Sequence, residues 1–418
     1  MVQKKILQFG AGNIGRSFVG QLFSKAGYEV VFADVDESLI RALNANHGYT
    51  VEIRDRVNAS ISIENVRAVH CGDSNAVVKE MTEADICATA VGPQVLPKLF
   101  SVMARGLDGR KSARRGPLDI ILCENLRDAA RLTREGLAKE LPKDFPLKSY
   151  VGLVETSIGK MVPIVPEKIR KADPLTVYAE AYNTLIVDRK GFLNGVPPVP
   201  GLSAKENMKA YVDRKSFIHN LGHAALAYFA NMVEPGMVYT YEAVRDPELR
   251  SWVKGAMQES GRLLIRMYPE EFDEAVQESH IEDLLERFGN EALGDTIFRV
   301  GRDLSRKLSS GDRVVAPLLE NQRRGLSAPY TMMALVCGLF FLPKDEDGRI
   351  YGPDKAVVER AKLSGPEEIL ANMCGLMGPL CALAARAYQS VARECRSGKI
   401  TREIFADNLK YFASHETI

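Results

Sequence analysis

Residues 214 to 223, RKSFIHNLGH, crowd a lysine, an asparagine and two histidines into ten positions of a 418-residue chain with only six histidines in all. At an α-helical pitch of about 100° per residue, with Lys215 at 0°, His219 falls at about 40°, His223 at about 80° and Asn220 at about 140°. The four share one broad face, and AALAYFA continues the helix with apolar residues. Three chemistries suit such a face. His219 and His223, four apart, could ligate a metal, but no HExxH pattern and no evident third ligand accompany them. The face could be a solvated surface. Or Lys215 transfers a proton, with Asn220 and His223 as hydrogen-bonding partners. A lysine in water has a pKa of about 10.4. Burial beside another cation lowers it to about 7–8, the range useful for taking a proton from an alcohol.

A second group of residues calls for a ligand. ILQFGAGNIGRSF carries Gly10, Gly12 and Gly15 in GxGxxG spacing, after an apolar run and before a helical one. In a dinucleotide-binding turn the first glycine makes the tight bend, the second admits a pyrophosphate and the third lets helix and strand pack closely. Asn13 and Ile14 lie inside the motif and join it as cofactor contacts. The motif also needs an acid about 20 residues on, at the end of the next strand. VVFADVD supplies Asp34 there. A carboxylate accepts hydrogen bonds from ribose hydroxyls and repels a 2′-phosphate, so the expected cofactor is NAD rather than NADP. TAVGPQ follows another strand-like run, and the loop at that end of such a sheet lies along the cofactor crevice. Ala90, Val91 and Gly92 are the expected backbone contacts there.

These residues need a frame. Short apolar runs alternate with helical stretches through the first third of the chain, which predicts an α/β Rossmann-type domain with a mostly parallel sheet. Residues 49–70 alternate apolar and polar and read as an inserted antiparallel ribbon. The basic stretch 104–119 reads as a surface loop. RKGFLNGVPPVPGL is the linker candidate. From about 203 onward nearly everything follows a 3.6-residue period. The expected organisation is an NAD-binding domain over 1–190 and a predominantly α-helical, substrate-binding domain over 203–418 that carries the lysine. The net charge of +1 points to neither nucleic acid nor a membrane surface. No secretory signal or apolar run of membrane-spanning length is apparent. Seven scattered cysteines without a CxxC pair argue against a disulfide framework and a structural zinc site. A reduced, cytoplasmic protein is expected, and nothing in the sequence demands more than a monomer.

FGAGNIGRSFVGQLFSKAGYEVVFADVD, TAVGP, CEN and KxxxxNxxH occur in this order over most of the chain, and together they resemble the polyol-specific long-chain dehydrogenases. Within that family the opening segment looks most like the mannitol-1-phosphate 5-dehydrogenases. The resemblance implies a Rossmann domain, a helical substrate domain, no metal, and catalysis by the lysine of the K-x4-N-x2-H motif. It carries over Lys215 as general acid/base, Asn220 and Asn125 as oxyanion donors, and His223 as the group orienting the substrate oxygen. The family's VDRIVP-like segment appears here as IGKMVP, with Gly159 where an aspartate would fall and Glu155 as a nearby carboxylate. Arg302, Arg306, Lys307 and Arg313 are candidate phosphate contacts. The implied reaction interconverts D-mannitol 1-phosphate and D-fructose 6-phosphate with NAD. Alternatives are a mannitol 2-dehydrogenase, a tagaturonate or fructuronate reductase, or, more remotely, a non-catalytic NAD sensor.

Overall fold

The computed structural model describes residues 3–163, 165–395 and 399–415. The chain forms two compact units that divide between Val212 and Asp213.

The first unit contains strands β1 (Lys5–Phe9), β2 (Glu29–Asp34), β3 (Gly48–Ile53), β4 (Ala59–Glu64), β5 (Val66–His70), β6 (Ile86–Thr89), β7 (Leu118–Leu122), β8 (Val151–Ser157), β9 (Thr176–Ala179), β10 (Leu185–Asp188) and β11 (Leu202–Lys205). Eight of them form one sheet in the order β11-β10-β8-β7-β6-β1-β2-β5. From β5 to β8 the pairs are parallel, and β10 is antiparallel to β8. The central strands are continuous apolar runs because both faces are covered. Phe18, Leu22 and Phe23 pack on one side, and Val77, Met81, Met103 and Leu107 on the other. The chain runs outward from β1 to β2 and β5, then returns to β6 on β1's other side. Ligands of such sheets bind at the carboxyl ends of the strands flanking this reversal.

Three local expectations are refined. The antiparallel ribbon is β3 with β4, pairing Tyr49 with Ile63 and Val51 with Ile61. It ends before Val66, and β5 leaves it to pair in parallel with β2. Alternation marks the ribbon, but Val66 and Ala68 belong to the main core, so the two read alike until their partners are known. The basic stretch 104–119 is not a surface loop through its length. It continues the helix Phe100–Ser112, and Arg110, 6 % exposed, bonds the carbonyls of Thr82, Ala84 and Gly116. A guanidinium satisfied by three carbonyls can be buried, which charge counting alone does not foresee. The stretch 189–202, expected as a linker, packs on the first unit, with Phe192 and Val199 in its core.

The second unit is helical. Its principal helices include α1 (Leu221–Val233), α2 (Pro247–Met267), α3 (Glu274–Phe288) and α4 (Ile297–Gly301). A helix apolar all round belongs in a core, and α1 is such a helix, with every residue but His223 buried. Trp252 on α2 stacks on Phe405, ring centroids 3.9 Å apart. No helix among the described residues is long and apolar enough to cross a membrane.

Candidate active site

The glycine turn joins β1 to the helical turns that follow it, Gly15–Gly20 and Gln21–Lys25. Gly10 has φ +90°, a conformation that favours glycine. A Cβ there would lie 2.5 Å from the Ala90 carbonyl oxygen, and one on Gly15 would lie 2.0 Å from that of Gly10. Both positions are closed by packing. Gly12 is different, with nothing within 4 Å of an added Cβ. The turn is therefore braced on two sides and open at the middle glycine, as a pyrophosphate cradle requires. Asn13 accepts a 2.6 Å bond from the Ser17 hydroxyl at its carbonyl, and Ile14 packs against the core.

Asp34 ends β2 beside this turn. Its Oδ2 accepts the Ala11 N–H at 2.6 Å, and Oδ1 accepts those of Val35 and Asp36 at 2.7 and 3.0 Å. A carboxylate offers about four lone-pair sites, so Asp34 is fixed in place and still able to accept from a ribose. The loop 90–92 lies next to the turn, but its N–H groups are occupied. Ala90 donates to Phe9 O, and Val91 and Gly92 donate to the two oxygens of Glu124. Any contact this loop makes with a cofactor falls to its other atoms. Sequence reasoning missed Glu124, whose only signal was a carboxylate directly after a buried strand. Asn125 follows it and is exposed.

Gly159 faces the Tyr182 ring, which an added Cβ would meet at 3.7 Å. Glu155 accepts the Ala130 N–H at 3.0 Å, at the start of the helix Ala129–Glu140. The neighbouring Lys160, also missed, is 6 % exposed and bonds Asn183 Oδ1 at 3.0 Å.

In the second unit, Lys215–Asn220 form a π turn that runs directly into α1. The Leu221 N–H bonds Ser216 O, five residues back. This corrects the α-helical wheel drawn from the sequence. In i→i+5 bonding, residues five apart lie in successive turns, so Asn220 moves from the far edge of the face toward the row of Lys215. Among residues 215–233, all are buried except Lys215, Asn220 and His223. The three residues of the K-x4-N-x2-H pattern are thus the places where a core helix opens. His219 parts from them. It is buried, with its ring 5.6 Å from that of Phe288.

The electrostatics follow from burial and cations. Desolvation, with Arg313 nearby, pushes the Lys215 amine down to about 8. Burial, then Arg299, Lys307, Arg313 and Arg287, push His223 down to about 3, so its imidazole is neutral. That ring stacks on Phe288 at 4.5 Å, and its Nε2 lies 3.5 Å from Asp295 Oδ2 without a hydrogen bond. Burial, then Arg287, His223, Lys215 and His280, hold His219 well below its ordinary value. Of the candidate phosphate contacts, Arg306 pairs with Asp303 and Asp312, and Arg313 with Asp312. Lys307 is buried and bonds Val300 O, and Arg302 sits over the Phe298 and Tyr351 rings. Among the described residues no three His, Cys, Asp or Glu side chains are grouped to hold a metal ion.

The first unit thus has the architecture of a dinucleotide-binding domain, and the second is helical. Residues 4–201 match the mannitol dehydrogenase Rossmann domain and residues 207–372 the mannitol dehydrogenase C-terminal domain. The chain belongs to the mannitol dehydrogenase family, and it is an NAD-dependent polyol oxidoreductase. Among solved structures, it is similar to the Pseudomonas fluorescens mannitol 2-dehydrogenase ternary complex with NAD and D-mannitol. The identity is 16 %, with 99 % of this chain and 94 % of that one covered and a TM-score of 0.73. A D-sorbitol dehydrogenase in substrate-free form gives 15 %, 99 %, 95 % and 0.75. At these identities the likeness is one of fold.

Proposed function

We propose that the protein interconverts D-mannitol 1-phosphate and D-fructose 6-phosphate, with Lys215 as the general acid/base. The observation that carries the lysine assignment is the opening of a buried helix at Lys215, Asn220 and His223 alone. A lysine with a pKa of about 8 is partly deprotonated near neutrality and can take the hydroxyl proton. As the alkoxide develops, its oxygen needs amide N–H donors, the role the family resemblance gives to Asn220 and Asn125. Losing one such donor typically costs on the order of 10²–10³ in rate. The neutral His223 imidazole orients the same oxygen. The bound nicotinamide supplies the hydride acceptor in one direction and the donor in the other.

A phosphorylated substrate is favoured by charge. Arg287, Arg299, Lys307 and Arg313 all act on His223 electrostatically, and a phosphate would add to the carboxylates of Asp283, Asp295 and Asp312 that already pair with the three arginines. A uronate would meet the same cations, so a hexuronate reductase is one alternative. A mannitol 2-dehydrogenase, the activity of the solved structure that the fold resembles, is the other. For the cofactor, Asp34 implies NAD over NADP. An Asp34→Ser variant should lose that preference, and one that still strongly prefers NAD would sink this role.

The deciding measurement is NADH consumption with fructose 6-phosphate, fructose, tagaturonate and fructuronate supplied separately. Oxidation with fructose 6-phosphate alone is the expected result. Turnover on a uronate or on fructose alone would move the enzyme to another branch of its family. NADH binding with no turnover on any of the four would overturn the reaction proposed here.

A further inference from the structure

We propose that Glu124 is a positioning residue that locks the 90–92 loop to the glycine turn and thereby aims Asn125. The proposal rests on the dehydrogenase reading in one respect, the role of Asn125 as a donor to the substrate oxygen.

Glu124 is 5 % exposed, and no cation is paired with it among the described residues. Its Oε1 accepts the Val91 N–H at 3.0 Å and its Oε2 the Gly92 N–H at 2.7 Å. Bonds of this kind, from a backbone N–H to an ionised carboxylate, are stronger than neutral ones. They begin where the sheet ends. The last backbone bond between β7 and β6 on this side is Cys123 N–H to Thr89 O, at 2.9 Å. One residue later the chains diverge, and the Glu124 side chain continues the ladder in place of the main chain. Gly92, at φ +87°, is in the left-handed region as it donates.

The other end of the loop is equally constrained. Ala90 N–H bonds Phe9 O at 2.8 Å, and the Ala90 carbonyl lies so close to Gly10 that a Cβ there would clash. A continuous series of contacts therefore runs from the glycine turn through Ala90, Val91 and Gly92 to Glu124. The next residue is Asn125. An isolated buried carboxylate is expensive unless its oxygens are satisfied, and a glutamine of the same shape would cost less. It could accept only one of the two N–H groups, because its NH₂ would face the other. The negative charge is what allows two parallel donors to be held by one side chain.

The test uses the whole chain with Glu124→Gln and Glu124→Asp, read by NADH fluorescence titration, steady-state kinetics and thermal midpoint. Glu124→Gln should keep the wild-type midpoint, bind NADH several-fold more weakly and lose about 10²-fold in kcat, as a misplaced group of about 1 Å can cause. Glu124→Asp, which restores a carboxylate on a shorter arm, should recover part of both losses. Wild-type NADH affinity and kcat in a folded Glu124→Gln protein would overturn the proposal. So would a loss of activity that tracks a fallen midpoint and is not rescued by aspartate. NADH affinity is measured without substrate. A failure of the sugar-phosphate reading would therefore leave the loop half of the proposal testable.

Discussion

Lys215 carries the sharpest expectations. Replacing it with alanine should lower kcat by on the order of 10²–10⁴, the usual worth of a general acid/base. NADH should still bind, because the glycine turn belongs to the other unit. Persistence of near-wild-type turnover would remove the lysine from the mechanism. The pH profile tests the environment. Oxidation of the polyol needs the neutral amine, so its rate should rise with pH through about 8, and ketose reduction should fall through the same range. Arg313 disfavours the charged amine, so Arg313→Gln should let Lys215 hold its proton to higher pH. The midpoint of the oxidation profile should move to the alkaline side, by less than burial moves it. No shift, or an acid one, would exclude Arg313 as a tuning charge. The sequence made these residues legible by type, since lysine, asparagine and histidine are rarely crowded without reason. The helical wheel alone did not separate His219 from His223, because both fall on one face at an α pitch, and it was the K-x4-N-x2-H resemblance that singled out His223. The sequence also hid Glu124, whose partners lie 32 and 33 residues away along the chain.

At the level of elements, the π turn explains why the motif is spaced K-x4-N. Five residues is an awkward interval for an α-helix and a natural one for i→i+5 bonding. Deleting Ser216, a buried residue inside the turn, should let the segment close into regular α-helix. Helix content by circular dichroism should hold while turnover falls, because the α spacing draws Lys215 in from the bulged position it holds five residues before Asn220. Retained activity in the deletion would show that the turn is incidental. The parallel sheet was legible because buried strands flanked by glycine repeat through the first third of the chain. The ends of elements were less so. Val66–His70 alternates like the ribbon before it, and only pairing with β2 shows where it belongs. The basic run at 104–119 looked solvated because charge usually is, yet Arg110 has three carbonyls to satisfy it.

For the whole molecule, the buried titratable groups set how stability varies with pH. His219, His223 and His280 are held below their ordinary 6.5 by burial. The unfolded chain therefore takes up protons below about pH 6.5 that the folded one refuses, and stability is lost as pH falls through that range. Lys215 and Lys307 are pushed down to about 8 and 7 from 10.5, so raising pH from about 7 favours the folded chain. Buried thiols act in the opposite sense. Cys71, Cys87 and Cys374 are raised from 9.0, so above pH 9 the unfolded chain ionises first and stability falls. The thermal midpoint should climb from about pH 6 toward 8.5 and decline beyond 9. A flat profile between 6 and 8 would mean that water reaches these groups. The chain has a single tryptophan, and its stack on Phe405 gives it a further use. Its emission reports on the helical unit that carries it, while nucleotide fluorescence reports on the glycine turn of the other unit. Two colours of light can therefore say which half of the enzyme melts first.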